Sequence, residues 1–274
     1  MGTASAAEQS LRNGDPFEAL KLLQAEIRGH SADPKLRVFL FQLLSVLGQW
    51  DRALNQLEVA GSLDASTLAM VQTYREALRC EVLRAQVFEG RKAPMVFGQP
   101  ETWLALLIES LLLEGRGQPA EAATLRAQAF EQAPASPGTL NGEPFEWIAD
   151  ADMRLGPVLE AVINGRYYWV PFARLAKVTI EEPADLRDVV WTPAHLVLEN
   201  GGEVYALVPT RYAGTEKLED GPHVLARKTT WEEPRPQFYC GLGQRVLSTD
   251  GGEFSLMDVR EIVFAGGAPA DAAH

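Results

Sequence analysis

Cysteine, histidine, basic charge and long apolar runs are all scarce in this 274-residue chain. Its two cysteines, Cys80 and Cys240, lie 160 positions apart. One far-spaced pair is no disulfide framework and fits a reducing compartment. The four histidines, His30, His195, His223 and His274, are scattered, with no second His or Cys at the close spacing of a zinc site, so no metal is expected. The longest apolar stretch, 103–113, is broken by Glu109 and Ser110 and falls short of the roughly 20 residues that a spanning helix needs. Residues 1–10 lack the basic start and apolar core of a secretory signal. A cytoplasmic protein is expected. Lys and Arg number 25 against 37 Asp and Glu, a net charge of -12. Such a surface repels phosphate backbones and anionic lipid, which argues against nucleic acid and membrane as partners.

Catalytic and cofactor motifs are missing too. There is no glycine-rich loop followed by Lys-Ser/Thr, and Gly241-Leu242-Gly243-Gln244 lacks the third glycine of a dinucleotide fingerprint. No Gly-x-Ser-x-Gly elbow occurs. No cofactor is expected. The strongest acid candidates are Asp150 and Asp152, in a stretch from Phe145 to Ile163 that reads as a short helix. Two positions apart on a helix point roughly 200° apart, so these carboxylates would not converge. Asp150 and Arg154, four apart, would share a face and pair. An enzyme is therefore not the leading expectation. A hydrolase or transferase using Asp150, Asp152, Arg154 and Arg211 at an inter-domain seam stays open as the alternative to a binding protein.

What the sequence does contain is a repeat. Gly14, Ala19, Leu20 and Leu23 recur as Gly48, Ala53, Leu54 and Leu57, each 34 positions on, and Gly117 and Ala122 lie 69 beyond the second copy. A period near 34 with Gly-x-x-x-x-Ala opening the second helix of each pair is the tetratricopeptide pattern. Small Ala is required where two helices of a hairpin cross closely. Three helical hairpins over residues 1–140 are expected, in a degenerate tetratricopeptide-like arrangement or a more generic bundle.

Residues 134–144 form a Pro- and Gly-punctuated linker, and β texture follows over 141–264. Asn200-Gly201-Gly202 and Asp250-Gly251-Gly252 both read as hairpin turns. Phe172, Leu175, Val178 and Ile180 are echoed by Leu256, Val259, Ile262 and Phe264 at a constant offset of 84. In each case a strand leads through a helical turn into another strand, which suggests a small SH3-like barrel. The fold class is thus α+β, helices first and β-rich second, with residues 265–274 expected to be a disordered tail. Tyr167, Tyr168 and Trp169 have two readings. They form an exposed aromatic face, or they form β-domain core and the inter-domain seam, with Tyr168 pointing opposite to its neighbours. The excess acid is uneven: net -9 over 141–274 against -3 over 1–140.

Several blocks of the chain resemble one family. They include Pro34-Lys35-Leu36-Arg37-Val38-Phe39-Leu40-Phe41, Gly48-Gln49-Trp50-Asp51-Arg52-Ala53-Leu54, Gly142-Glu143-Pro144-Phe145-Glu146-Trp147, Asn164-Gly165-Arg166-Tyr167-Tyr168-Trp169-Val170-Pro171, and Pro209-Thr210-Arg211-Tyr212. These are similar to the ImpE family, also called TagJ or SciE-type proteins, over about residues 10–264. The resemblance implies a non-enzymatic adaptor of bacterial type VI secretion. It would bind the N-terminal helical region of the small sheath subunit and be linked to the ClpV unfoldase that recycles contracted sheath.

A concave groove of paired helices suits such a helix. In the register set by Ala53, its lining would be Lys35, Val38, Gln42 and Ser45. In the third repeat Trp103, Leu107, Leu111 and Glu114 take those positions, either as groove or as core.

Overall fold

Gly14, Gly48 and Gly117 stand at three tight turns, with φ of +85°, +65° and +74°. The computed structural model, which describes residues 5–266, joins α1 (Ala6–Arg12) to α2 (Pro16–Gly29) and α3 (Pro34–Val46) to α4 (Trp50–Leu63) through the first two. A long α5 (Leu68–Phe88) follows. The third glycine joins α6 (Thr102–Gly115) to α7 (Pro119–Gln132). Five residues after each glycine, Ala19, Ala53 and Ala122 have no exposed surface, as close helix crossing requires. At Gly48 a side chain would be strained for two reasons. Its φ is left-handed, and a Cβ would lie 2.6 Å from Cβ of Glu216, on the β side of the molecule. The three hairpins thus follow the period in the sequence, but α5 stands between the second and third, so the pairs are not one uninterrupted stack.

The strands are β1 (Met95–Val96), β2 (Gly138–Leu140), β3 (Glu143–Phe145), β4 (Ile148–Asp150), β5 (Val158–Ile163), β6 (Arg166–Pro171) and β7 (Leu175–Ile180). The rest are β8 (Trp191–Leu198), β9 (Glu203–Pro209), β10 (Thr229–Arg235), β11 (Phe238–Gly243), β12 (Val246–Thr249), β13 (Gly252–Ser255) and β14 (Glu261–Phe264). Nine form one sheet in the order β1-β6-β5-β9-β8-β7-β14-β2-β3, and β13-β12-β4 and β10-β11 form two smaller ones. In place of a small barrel there is a broad sheet whose end strands do not pair with each other. Closure is unnecessary because both ends are blunted: β1 is two residues long and β3 carries Pro144. The offset-84 echo is a real pairing. Short 3-10 turns at Phe172–Arg174 and Leu256–Asp258 lead into β7 and β14, which lie antiparallel with Val178 opposite Ile262.

The helix expected over 145–163 is not formed. β4 ends at Asp150, a turn carries Asp152 and Arg154, and Gly156 takes φ +56° before β5 begins. Every residue of β5 is buried, because one face packs in the sheet's own core and the other under α5 and α6. A strand covered on both faces reads as a continuous apolar run, which periodicity does not separate from a buried helix. The tail expected over 265–274 lies, beyond residue 266, outside the described residues.

Ala53→Leu is expected to destabilise the protein by about 1–3 kcal/mol through overpacking at the crossing of α3 and α4. Urea unfolding should report a lower midpoint at unchanged slope. An unchanged midpoint would mean that the crossing has room to spare.

Candidate functional site

A lone glutamate stands inside the apolar run Val158-Leu159-Glu160-Ala161-Val162-Ile163, and it is wholly buried. Isolated, such a charge would cost several kcal/mol. It is instead held by two guanidiniums. Arg84 of α5 donates from Nε at 2.7 Å and from Nη2 at 3.0 Å, and Arg245, ahead of β12, donates from Nη2. The Tyr167 hydroxyl donates to the same carboxylate and accepts from Trp169 Nε1 at 2.8 Å. Arg245 reaches on to Asp150 and to the Pro209 carbonyl, and Arg84 to the Arg211 carbonyl at 2.7 Å. Glu81, one turn before Arg84, accepts from Trp191 Nε1 at 2.9 Å. Burial pushes Glu160 up, but Arg84 and Arg245 outweigh it and hold the carboxyl at about 2. Asp150 is pushed to about 6 by burial, with Arg245 opposing. The cluster therefore joins a helix to a sheet through charges that no solvent reaches.

This seam also accounts for the residues of the enzymatic alternative. Asp150 pairs with Arg245, not with Arg154; the helix that would have brought Arg154 beside it is absent. Asp152 takes Arg154 as its partner and accepts from the Gly241 amide at 2.9 Å. The Arg211 guanidinium donates to the carbonyls of Val46, at 2.7 Å, and of Val224, with Ser45 O at 3.5 Å. All four side chains are used in fastening elements together. Among the described residues there is no group of three His, Cys, Asp or Glu side chains arranged to hold a metal ion, and no helix is long and apolar enough to cross a membrane.

The aromatic trio divides by strand alternation. Tyr167 and Trp169 are buried under α5 and α6, whereas Tyr168 points to the opposite core and packs edge-on against Phe97 at 5.5 Å. Tyr167 and Trp169 are therefore seam rather than an exposed binding face. Trp103 and Leu107 are corrected in the same way. They are 3% and 0% exposed, because α6 lays that face on β5 and β6. Leu111 is buried with them, and Glu114 pairs with Arg126 and Arg235.

The second-repeat positions fare differently. Lys35, Val38 and Gln42 line an open cleft of about 1010 Å³ on the helical side. Its apolar lining comes from Leu11 of α1, Leu36, Val38 and Phe39 of α3, and Leu186. Ser45, on the same helix face, is fully buried, its hydroxyl donating to the Phe41 carbonyl at 2.9 Å. The C-terminal half of α3 has by then passed beneath the β side, where Arg211 meets it. The far wall, 183–186, is loop between β7 and β8. There Asp188 accepts from the Ala184 and Asp185 amides at 2.7 and 2.9 Å and fixes the turn. Sequence reasoning missed this wall and the Glu160 cluster. Only the charge inside an apolar run could have pointed to the latter.

An α+β protein with its layers fastened by buried charge and an open cleft on its helical side is the class that these features define. A model of the ImpE family, described as ImpE protein, matches residues 142–263. The chain is also 50% identical over 269 residues to the type VI secretion system accessory component TagJ of Pseudomonas aeruginosa, covering 98% of this chain and 93% of that protein. A crystal structure of a Vibrio parahaemolyticus protein superposes with a TM-score of 0.86 at 24% identity, over 94% of this chain and 97% of the other, and so shares the fold. The chain belongs to the ImpE family, of which TagJ is a member.

Glu160→Gln leaves Arg84 and Arg245 short of their shared partner and should cost about 3–5 kcal/mol at neutral pH. Because the folded carboxyl sits at about 2, below its ordinary 4.5, its contribution is present above 4.5 and is lost as pH falls towards 2. Urea midpoints of wild type and variant should therefore converge as pH is lowered through that window. A gap independent of pH would contradict the charged role.

Proposed function

We propose that this chain is a non-enzymatic accessory component of a bacterial type VI secretion system, acting as a cytoplasmic adaptor. Its partner is the N-terminal helical region of the small sheath subunit, and through it the chain is linked to sheath recycling by the ClpV unfoldase. The observation that carries this reading is the cleft lined by Lys35, Val38 and Gln42, on the helix face that the repeat register assigns to a groove. An α-helix with its side chains is about 10–12 Å across, and a concave apolar strip between paired helices is a common way to hold one. Full-length similarity to a type VI accessory component supports the setting. The tetratricopeptide-like character of 1–140, and its division from a β-rich 141–264, belong to the same reading. Nucleic acid and membrane are not part of it, given the acidic balance of the chain.

Val38→Asp places a charge in the apolar strip of the cleft at a half-buried position. Calorimetry with the purified small sheath subunit should report at least tenfold weaker binding, about 1.4 kcal/mol or more. Tyr205→Ala, at a 79% exposed position on β9, should leave affinity unchanged. The reverse pattern would move the docking site to the open face of the sheet.

A further inference from the structure

The rim of the cleft has a sign. Glu8, Glu26, Asp33, Asp64 and Asp185 line it, against Arg12 and Lys35. Of the five acids only Asp185 has a cation within salt-bridge distance among the described residues, Arg187 at 2.8 Å. Several of these carboxylates are helix caps: Asp33 accepts from the Lys35 amide at 2.8 Å, Asp64 from the Ser66 amide at 2.9 Å, and Glu8 belongs to the capping box of α1. Helix N-termini carry about half a positive charge each, so those of α1 and α3 offset about one unit. Five acids against Arg12, Lys35 and the Arg187 that pairs with Asp185 still leave the rim negative, by about one unit once the helix ends are counted. We propose that the cleft selects a basic amphipathic helix, one whose apolar stripe is flanked by lysine or arginine.

This rests on the reading that the cleft holds a partner helix, and it adds the chemistry of that helix. Leu11, Leu36, Val38, Phe39 and Leu186 take the stripe, and the carboxylates meet the flanking cations. Burial holds the Asp185 carboxyl above its ordinary value, with Arg187 opposing, so a further cation arriving there relieves an existing cost. The chain's net charge of -12 acts in the same direction at longer range and speeds the approach of a cationic partner at low salt.

The test uses the full chain and two synthetic helices with one apolar stripe, flanked by lysine in the first and by glutamate in the second. Binding is read by fluorescence anisotropy at low and high salt. The lysine helix should bind at least tenfold more tightly, with a preference that shrinks as salt rises. The triple variant Glu26→Gln, Asp33→Asn, Asp64→Asn removes three charges while keeping both caps, since asparagine caps as well as aspartate. It should lose about tenfold on the lysine helix, from modest contributions at each half-exposed site, and lose nothing on the glutamate helix, whose repulsion it relieves. Equal affinity for the two helices, no binding of either, or an unaltered triple variant would overturn the proposal. Competition with the N-terminal peptide of the small sheath subunit separates the two claims. If that peptide fails to displace a bound lysine helix, the sheath assignment falls while the charge preference stands.

Discussion

A carboxylate with no access to water fixes how the two layers of this protein meet. Glu160 lies at the centre of a strand covered on both faces, and its two guanidinium partners come from α5 and from the segment before β12. Neither arginine has another carboxylate that could replace it in full, and removing any one member strands a charge in a dry interior. An apolar seam of the same size would tolerate small slips of α5 along the sheet. Paired charges with directed hydrogen bonds do not, because each displacement breaks bonds that the interior does not repay. The Trp191–Glu81 and Arg84–Arg211 contacts extend this fastening along α5, and the donation of Arg211 to the Val46 carbonyl brings in the end of α3.

The cleft depends on that fastening because its walls come from different layers. One wall is α1 and α3; the other is the 183–186 loop that leaves the sheet after β7. Thr210 ties the second wall back to β8 and β9, donating to the Asp188 carbonyl at 2.6 Å. Tyr74 of α5 packs against Phe41 and Trp191 and lies under the guanidinium of Arg187. The wall is thus tied through Tyr74 to Trp191, which also bonds Glu81 at the seam. A pre-formed cleft spends little on ordering when a helix enters it.

Much of this was legible in the sequence. Glycines at a fixed period located the hairpin turns, because a left-handed turn and a close helix crossing leave a residue-specific mark at known spacing. Gly-Gly pairs located two β-hairpins, and the offset of 84 located strands that prove to be neighbours. The register puts Lys35, Val38 and Gln42 on one face of α3, and all three line the cleft. What failed was burial from a second layer. Ser45, Trp103 and Leu107 lie on the face expected of them, but the sheet covers that face, and no local pattern announces a covering element far along the chain. The same cause turned β5 into an apparent helix and hid the ring of charge around Glu160, whose partners Arg84 and Arg245 are 76 and 85 positions away.

Hydrogen–deuterium exchange on the full chain, with and without the N-terminal helical region of the small sheath subunit, tests the central claim most directly. A helix seated between the layers predicts added protection at α1, at the first turns of α3 and at 183–189 together, with the β8–β9 hairpin around Tyr205 unchanged. Protection confined to the hairpin, or at α3 without the 183–189 loop, would contradict a cleft built from both layers.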